Sequence, residues 1–250
     1  MLLEHNKSVF QLLLEGTLER PKSLVISRSG ALSARTGTFA ALSTQAQRVL
    51  RNTYALLSLT LLFAAGIAAA STALTLPAPG VMLTLAGYFG LLFAIHRLKN
   101  SGWALPAVFA LTGFMGYTLG PLLARTLTLP GGSSTIALAL GATGVTFLAL
   151  SGWVLATRRD FSWMGGMLFA GMIIAILAGL AAIFFQMPAL GLAVSATVAL
   201  LSAGLILYET SAIVHGGETN YVLATVSLFV SLFNLFTSLL HLLGLGGPGE

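Results

Sequence analysis

The sequence predicts an all-α integral membrane protein with seven transmembrane helices, the last of them central. Three observations carry this. Hydrophobic residues make up 56% of the 250-residue chain and charged residues only 8%, against about 25% charged in ordinary soluble domains. A soluble fold could not hide that much apolar surface, so lipid must act as part of the solvent. Seven apolar stretches, each close to the ~20 residues that cross a bilayer, are separated by short polar or Pro/Gly breaks. Finally, these stretches lack period-2 alternation and are about twice as long as barrel strands, which excludes a β-barrel.

The first segment, Met1–Asn52, is mixed in character. It carries seven Lys/Arg and three Glu, a net of +4, while residues 53–250 carry a net of +1. It contains one short apolar patch, Val9–Leu14, then Pro21 and a Ser/Arg/Gly-rich run from Ser27 to Arg35. The apolar core of a cleavable signal peptide is missing from it. Residues 1–50 are expected to form a flexible basic cytoplasmic tail, residues 51–246 the seven-helix domain, and residues 247–250 a short external C-terminus.

The spans are expected at Thr53–Thr75, Gly80–Arg97, Trp103–Leu123, Thr135–Thr157, Ser162–Phe185, Ala189–Val214 and Tyr221–Leu245. Pro77-Ala78-Pro79-Gly80, Arg97–Gly102, Pro130-Gly131-Gly132, Arg158-Arg159-Asp160, Gln186-Met187-Pro188 and His215–Glu218 supply the breaks. Orientation follows from Lys/Arg in short loops. Arg35, Arg48 and Arg51 precede the first span, Arg97 and Lys99 fill the second loop, and Arg158 and Arg159 the fourth; loops one and five have none, and loop three has only Arg125. The N-terminus and the even loops are therefore expected in the cytoplasm, with Glu250 on the opposite side of a bacterial inner membrane.

Several chemistries are excluded. Without cysteine there is no disulfide framework, thiolate metal site or cysteine nucleophile. No HExxH, GxSxG or Walker A motif occurs, and four scattered histidines do not make a metal site. The chain is expected not to be an enzyme and to use no metal or cofactor. Its basic tail reads as a positive-inside anchor, not a nucleic-acid surface.

The polar residues inside the spans are more informative. Gly116 and Gly120 form a GxxxG pair, and Gly141, Gly144, Gly165, Gly166, Gly171 and Gly179 continue a theme of small residues, which lets helix backbones approach closely. In the last span Ser227, Ser231, Asn234, Ser238 and His241 recur at steps of 4, 3, 4 and 3. At 100° per residue they share an arc of about 80° and run roughly 21 Å. Such a stripe should face protein or water, not lipid, which places this helix inside the bundle. It reads either as interhelical hydrogen-bond glue, worth about 0.6 kcal/mol per contact, or as the wall of a wetted path.

Glu209 is the one carboxylate set in an apolar span, a functional candidate by default; the plainer reading is snorkelling to the nearby interface. His96 and Arg97 end the second span on the same membrane face and are candidate partners, giving Glu209, His96, Arg97 and Ser231 as a candidate pH- or ion-sensing group. His215 and Glu218, in the sixth loop, are expected to be solvated rather than metal-bound.

Tyr208-Glu209-Thr210, His215–Tyr221, Ala224–Leu228 and Phe233–Phe236 resemble the C-terminal signature of the Bax inhibitor-1 family, also known for its transmembrane BAX inhibitor motif. Val49–Tyr54 and Thr112–Pro121 are similar to a proteobacterial, YccA-like branch of it. The resemblance runs from about Ser43 to Gly244. It implies seven helices around a central last one, and for bacterial members an inner-membrane partner, and slow substrate, of the ATP-dependent membrane protease FtsH. For the wider family it implies a pH-sensitive calcium leak tied to two facing aspartates and an arginine. Those positions fall on Glu209, Ser231 and His96; only the first keeps its charge type, and a proton-sharing carboxylate pair cannot form with Ser231. Two functions are thus expected from the resemblance: a modulator of FtsH working through the tail and the membrane helices, or a calcium or proton leak along the last helix.

Overall fold

The computed structural model describes residues 43–245. The expected tail up to residue 42 and the external C-terminus, residues 247–250, lie outside the described residues. Seven helices long and apolar enough to cross a membrane make up the fold: α1 (Thr44–Ala73), α2 (Val81–Leu98), α3 (Ala104–Leu127), α4 (Gly132–Thr157), α5 (Gly165–Phe184), α6 (Pro188–Val214) and α7 (Tyr221–Leu245). A 3-10 turn, Ser162–Met164, leads into α5. No strand occurs among the described residues.

Two boundaries depart from expectation by more than three residues. α1 begins at Thr44, ahead of the expected Thr53 and of the domain boundary at 50/51. Its first turns are amphipathic: Ala46 and Val49 are buried while Arg48 and Arg51 are exposed, so the helix continues beyond its purely apolar part. α3 runs to Leu127 through Pro121 instead of stopping at Leu123. Proline has no N–H to give the carbonyl one turn back, here that of Tyr117. Ser71 of α1 fills the place, its hydroxyl donating to the Tyr117 carbonyl at 3.1 Å; in lipid a neighbouring helix must satisfy such a freed group.

That repair needs close approach, and the GxxxG pair provides it. A Cβ at Gly116 would overlap the Ala64 carbonyl of α1, and one at Gly120 would overlap the Ser71 hydroxyl. The Thr72 hydroxyl of α1 lies 2.8 Å from the Ala68 carbonyl of its own helix and 3.2 Å from the Gly120 carbonyl of α3, and the Tyr117 hydroxyl donates to the Pro77 carbonyl at 2.7 Å. Gly165 and Gly171 likewise sit against Tyr208 and Leu201 of α6. The small-residue theme does not extend to Gly141, Gly144 and Gly166, which have open space around them.

α7 is the interior helix. Of its most apolar stretch 61% is buried, against 6% to 39% in the other six. It packs on α1, α3, α4 and α6, whereas α2 leans chiefly on α3 and α5 chiefly on α6. Leu228, Phe229 and Leu240 are fully enclosed, and Thr225 reaches the Thr53 carbonyl of α1 at 3.3 Å. Outward faces are apolar, as with Met82 of α2 and Phe169 of α5, and suit lipid contact.

One end of the bundle is tied by its loops. Asn220 caps α7, its Oδ1 accepting from the N–H of Val222 at 2.9 Å, while its amide donates to the Lys99 carbonyl at 3.2 Å and to Asn100 Oδ1 at 3.1 Å. His215 is exposed, in keeping with a solvated loop, but is not free: its Nε2 meets the Arg158 carbonyl at 3.1 Å. Ser211 accepts from the Phe161 N–H at 3.0 Å. Ser162 donates twice to Asp160, holding that carboxyl below the usual carboxylate range. Loops two, four and six therefore share one face.

Replacing Gly120 or Gly116 with alanine should lower the melting temperature in detergent, with a cost of about 1–3 kcal/mol for forcing volume into a packed contact. Gly144→Ala, where a Cβ meets nothing, should leave it unchanged. Equal effects at all three positions would mean that the α1–α3 contact is not tight.

Candidate functional site

Glu209 and Ser231 meet across the α6–α7 contact. Ser231 lies one turn after Ser227 on the inward arc of α7 and is 1% exposed. Its hydroxyl is placed 3.1 Å from Oε1 and 3.2 Å from Oε2 of Glu209. A hydroxyl has one proton to donate, so it serves one carboxylate oxygen at a time and leaves most of the acceptor capacity of Glu209 unused.

His96 and Arg97 do not join them. Ile95 is 1% exposed and points into the bundle; the next two residues turn away from it by 100° and 200°. Both are exposed, and the Arg97 guanidinium lies over the Phe93 ring, 5.1 Å from its centroid. Glu209 makes no ion pair among the described residues. The expected four-residue group therefore reduces to Glu209 and Ser231. Nor does Glu209 snorkel away: it is only partly exposed and lines an internal cavity.

That cavity holds about 350 Å³. α7 supplies Ser227, Ser231 and Asn234, α6 supplies Glu209, and α2 covers it with Tyr88 and Phe89. Met172 and Ile176 of α5 form the far wall. Ser227 is exposed because the stripe opens here onto the cavity rather than onto a packed helix. Toward the other end of α7, Ser238 is buried and His241 is half-buried, with its Nδ1 2.7 Å from Ser195 Oγ of α6. Ser195 Oγ also lies 3.0 Å from the Gly191 carbonyl, so when its proton goes there it accepts from His241 Nδ1. A second cavity of about 520 Å³ lies beside His241 and Gln186. The stripe thus serves both readings: glue at Ser231 and His241, cavity wall at Ser227 and Asn234.

Ser195, Ser202 and Tyr88 were not singled out from the sequence. Ser195, Ser202 and Glu209 recur every seven residues on α6, a spacing that keeps them within about 40° of one another, and this row was a readable signal. Ser202 is fully buried and its hydroxyl has no hydrogen-bond partner. Tyr88 had a weaker signal, one heptad before the buried Ile95 on the same face of α2.

Ser231→Leu should overpack the α6–α7 contact and lower the melting temperature, at a cost of typically 1–3 kcal/mol. Ser231→Ala, which removes only the hydroxyl, should cost less, on the order of 0.6 kcal/mol as for membrane hydrogen bonds generally. A leucine variant as stable as the parent would place residue 231 against lipid.

The family described as Inhibitor of apoptosis-promoting Bax1 matches residues 46–247. The chain is 54% identical over 197 residues to the Modulator of FtsH protease YccA of Escherichia coli (strain K12), covering 79% of this chain and 90% of that protein. It is 51% identical over 202 residues to an uncharacterised protein of Pseudomonas aeruginosa, covering 81% and 91%. An uncharacterised membrane protein of Vibrio cholerae is 44% identical over 202 residues, covering 80% and 91%. With the seven-helix fold, the interior last helix and the signature residues around Glu209 already in place, these matches show that the chain belongs to the Bax inhibitor-1 family.

Proposed function

We propose that the protein is an inner-membrane modulator of the membrane-anchored, ATP-dependent protease FtsH, with a regulatory rather than a catalytic role. The observation that carries this is the 54% identity to the Escherichia coli modulator over 90% of its length; an equally similar relative is named an inner membrane protein. The architecture suits the role. A bundle tied together on one face by Asn220 and His215 presents a fixed set of loops to a partner in the same membrane. The basic N-terminal segment adds a further element that a protease working from that side could engage.

The calcium-leak reading has less support. Calcium takes six to eight oxygen ligands, usually with several carboxylates, and the cavity offers one carboxylate, with Ser231 opposite it. A proton path would have to use the same single carboxylate.

Tagged protein purified from native inner membranes should bring FtsH with it, and its overproduction should lengthen the half-life of an FtsH substrate in a pulse-chase. Absence of FtsH from the eluate together with an unchanged half-life would overturn the proposal. Orientation has a separate test. The Lys/Arg pattern puts loops two, four and six in the cytoplasm and the C-terminus outside; a C-terminal alkaline phosphatase fusion should be active and a C-terminal fluorescent-protein fusion dark. The opposite pair would reverse the orientation.

A further inference from the structure

The cavity beside α7 holds more hydrogen-bonding capacity than the protein uses. Glu209 offers about four acceptor sites and receives only the Ser231 hydroxyl. The side chains of Asn234 and Ser227 line the same space and make no hydrogen bond among the described residues. No described lysine, arginine or histidine lines it. Ionised among these apolar walls, Glu209 would lack the counter-charge that makes such burial tolerable. The remaining walls are aliphatic and aromatic, with Tyr88 and Phe89 of α2 on one side.

The charge, the acceptors and the walls together describe a ligand. Glu209 can accept from a primary ammonium, with Ser227 Oγ and Asn234 Oδ1, about 10.5 Å apart along α7, offering a further acceptor on either side of it, and aromatic rings favour a desolvated cation nearby. The apolar walls match a hydrocarbon body and disfavour a hydrated metal ion. The volume of about 350 Å³ falls at the small end of ligand cavities, about 300–1,000 Å³. Access is lateral: α2 leans on α3 and α5 on α6 without packing against each other, and Ser227 is exposed between them. Glu209 lies five residues before the end of α6, about 8 Å below it at 1.5 Å per residue, within reach of a headgroup drawn in from the leaflet on that side.

We propose that the cavity between α2, α5, α6 and α7 binds a primary ammonium carried on an apolar body, with the ammonium held by Glu209 and a flanking oxygen of Ser227 or Asn234 and the body along Tyr88 and Phe89. Two sources present a primary ammonium, a free alkylamine and the ethanolamine headgroup of a phospholipid, whose phosphate, two carbons away, would have to stay at the leaflet surface. The site does not depend on the protease reading, and a chain without effect on FtsH could still bind the ammonium.

The test uses the full-length protein in phosphatidylcholine nanodiscs, with protein-free discs as the baseline. Octylamine is titrated against two matched probes, octanol, which lacks the charge, and octyltrimethylammonium, which lacks the donors. Octylamine should bind, with both controls at least about tenfold weaker, a difference of about 1.4 kcal/mol. Glu209→Gln should lose a similar factor for octylamine alone. Octanol binding as tightly as octylamine would overturn the proposal, because the cavity would then only be filling with hydrocarbon. A folded Glu209→Gln protein with unchanged octylamine affinity would overturn it too. If that variant fails to fold, the three-probe series on the parent protein decides. Native mass spectrometry after exchange into mixed phosphatidylethanolamine and phosphatidylcholine vesicles separates the sources: selective retention of phosphatidylethanolamine identifies the lipid, and octylamine binding without retained lipid identifies a free amine.

Discussion

Lipid offers no hydrogen bonds, and the arrangement of this protein follows from that constraint. α7 carries five polar side chains along one arc in a segment that is otherwise apolar, and a helix of that kind is not stable facing hydrocarbon. The bundle answers by wrapping it. α1, α3, α4 and α6 pack around it, leaving α2 and α5 at the outside with most of their surface turned to lipid. The same constraint operates at Pro121, where the carbonyl released by the missing N–H is taken up by Ser71. That in turn obliges α3 to approach α1 through Gly116 and Gly120, since a side chain at either position would hold the helices apart.

The polar groups fall into two classes by what they have found. Ser71, Thr72 and Thr225 close backbone or interhelical bonds and have an architectural role. Glu209, Ser227 and Asn234 lie around a cavity with capacity to spare, and spare capacity at membrane depth is costly unless something meets it. This is what makes the Glu209 end of the α6–α7 seam the candidate site. At the Ser195–His241 end the two side chains meet each other beside the second cavity.

Ser231, and not a second carboxylate, faces Glu209 across the seam, and this limits what the seam can do. Two facing carboxylates would repel or share a proton, and either arrangement would couple helix packing to pH. A carboxylate and a hydroxyl simply hydrogen-bond. Regulation by this chain therefore rests more naturally on which partners and ligands it engages than on a two-carboxylate switch.

Hydropathy and loop chemistry alone determined the number of spans and nearly all their ends, because a bilayer of fixed thickness demands a fixed length of apolar helix. The steps of 3 and 4 in α7 were enough to place it inside, since periodicity fixes which residues share a face. The pairing of Glu209 with Ser231 was legible only as alignment to a family pattern; the sequence by itself could not say which arcs of α6 and α7 meet. Tertiary structure decided the rest. It turned His96 and Arg97 outward, because the burial of Ile95 sets the rotation of α2. It carried α3 through Pro121 by supplying Ser71 from a helix nearly fifty residues away in sequence. It opened a cavity where α2 and α5 fail to meet. Each of these depends on contacts between segments distant in the chain, and no local pattern of residues encodes the rotation of one helix against another.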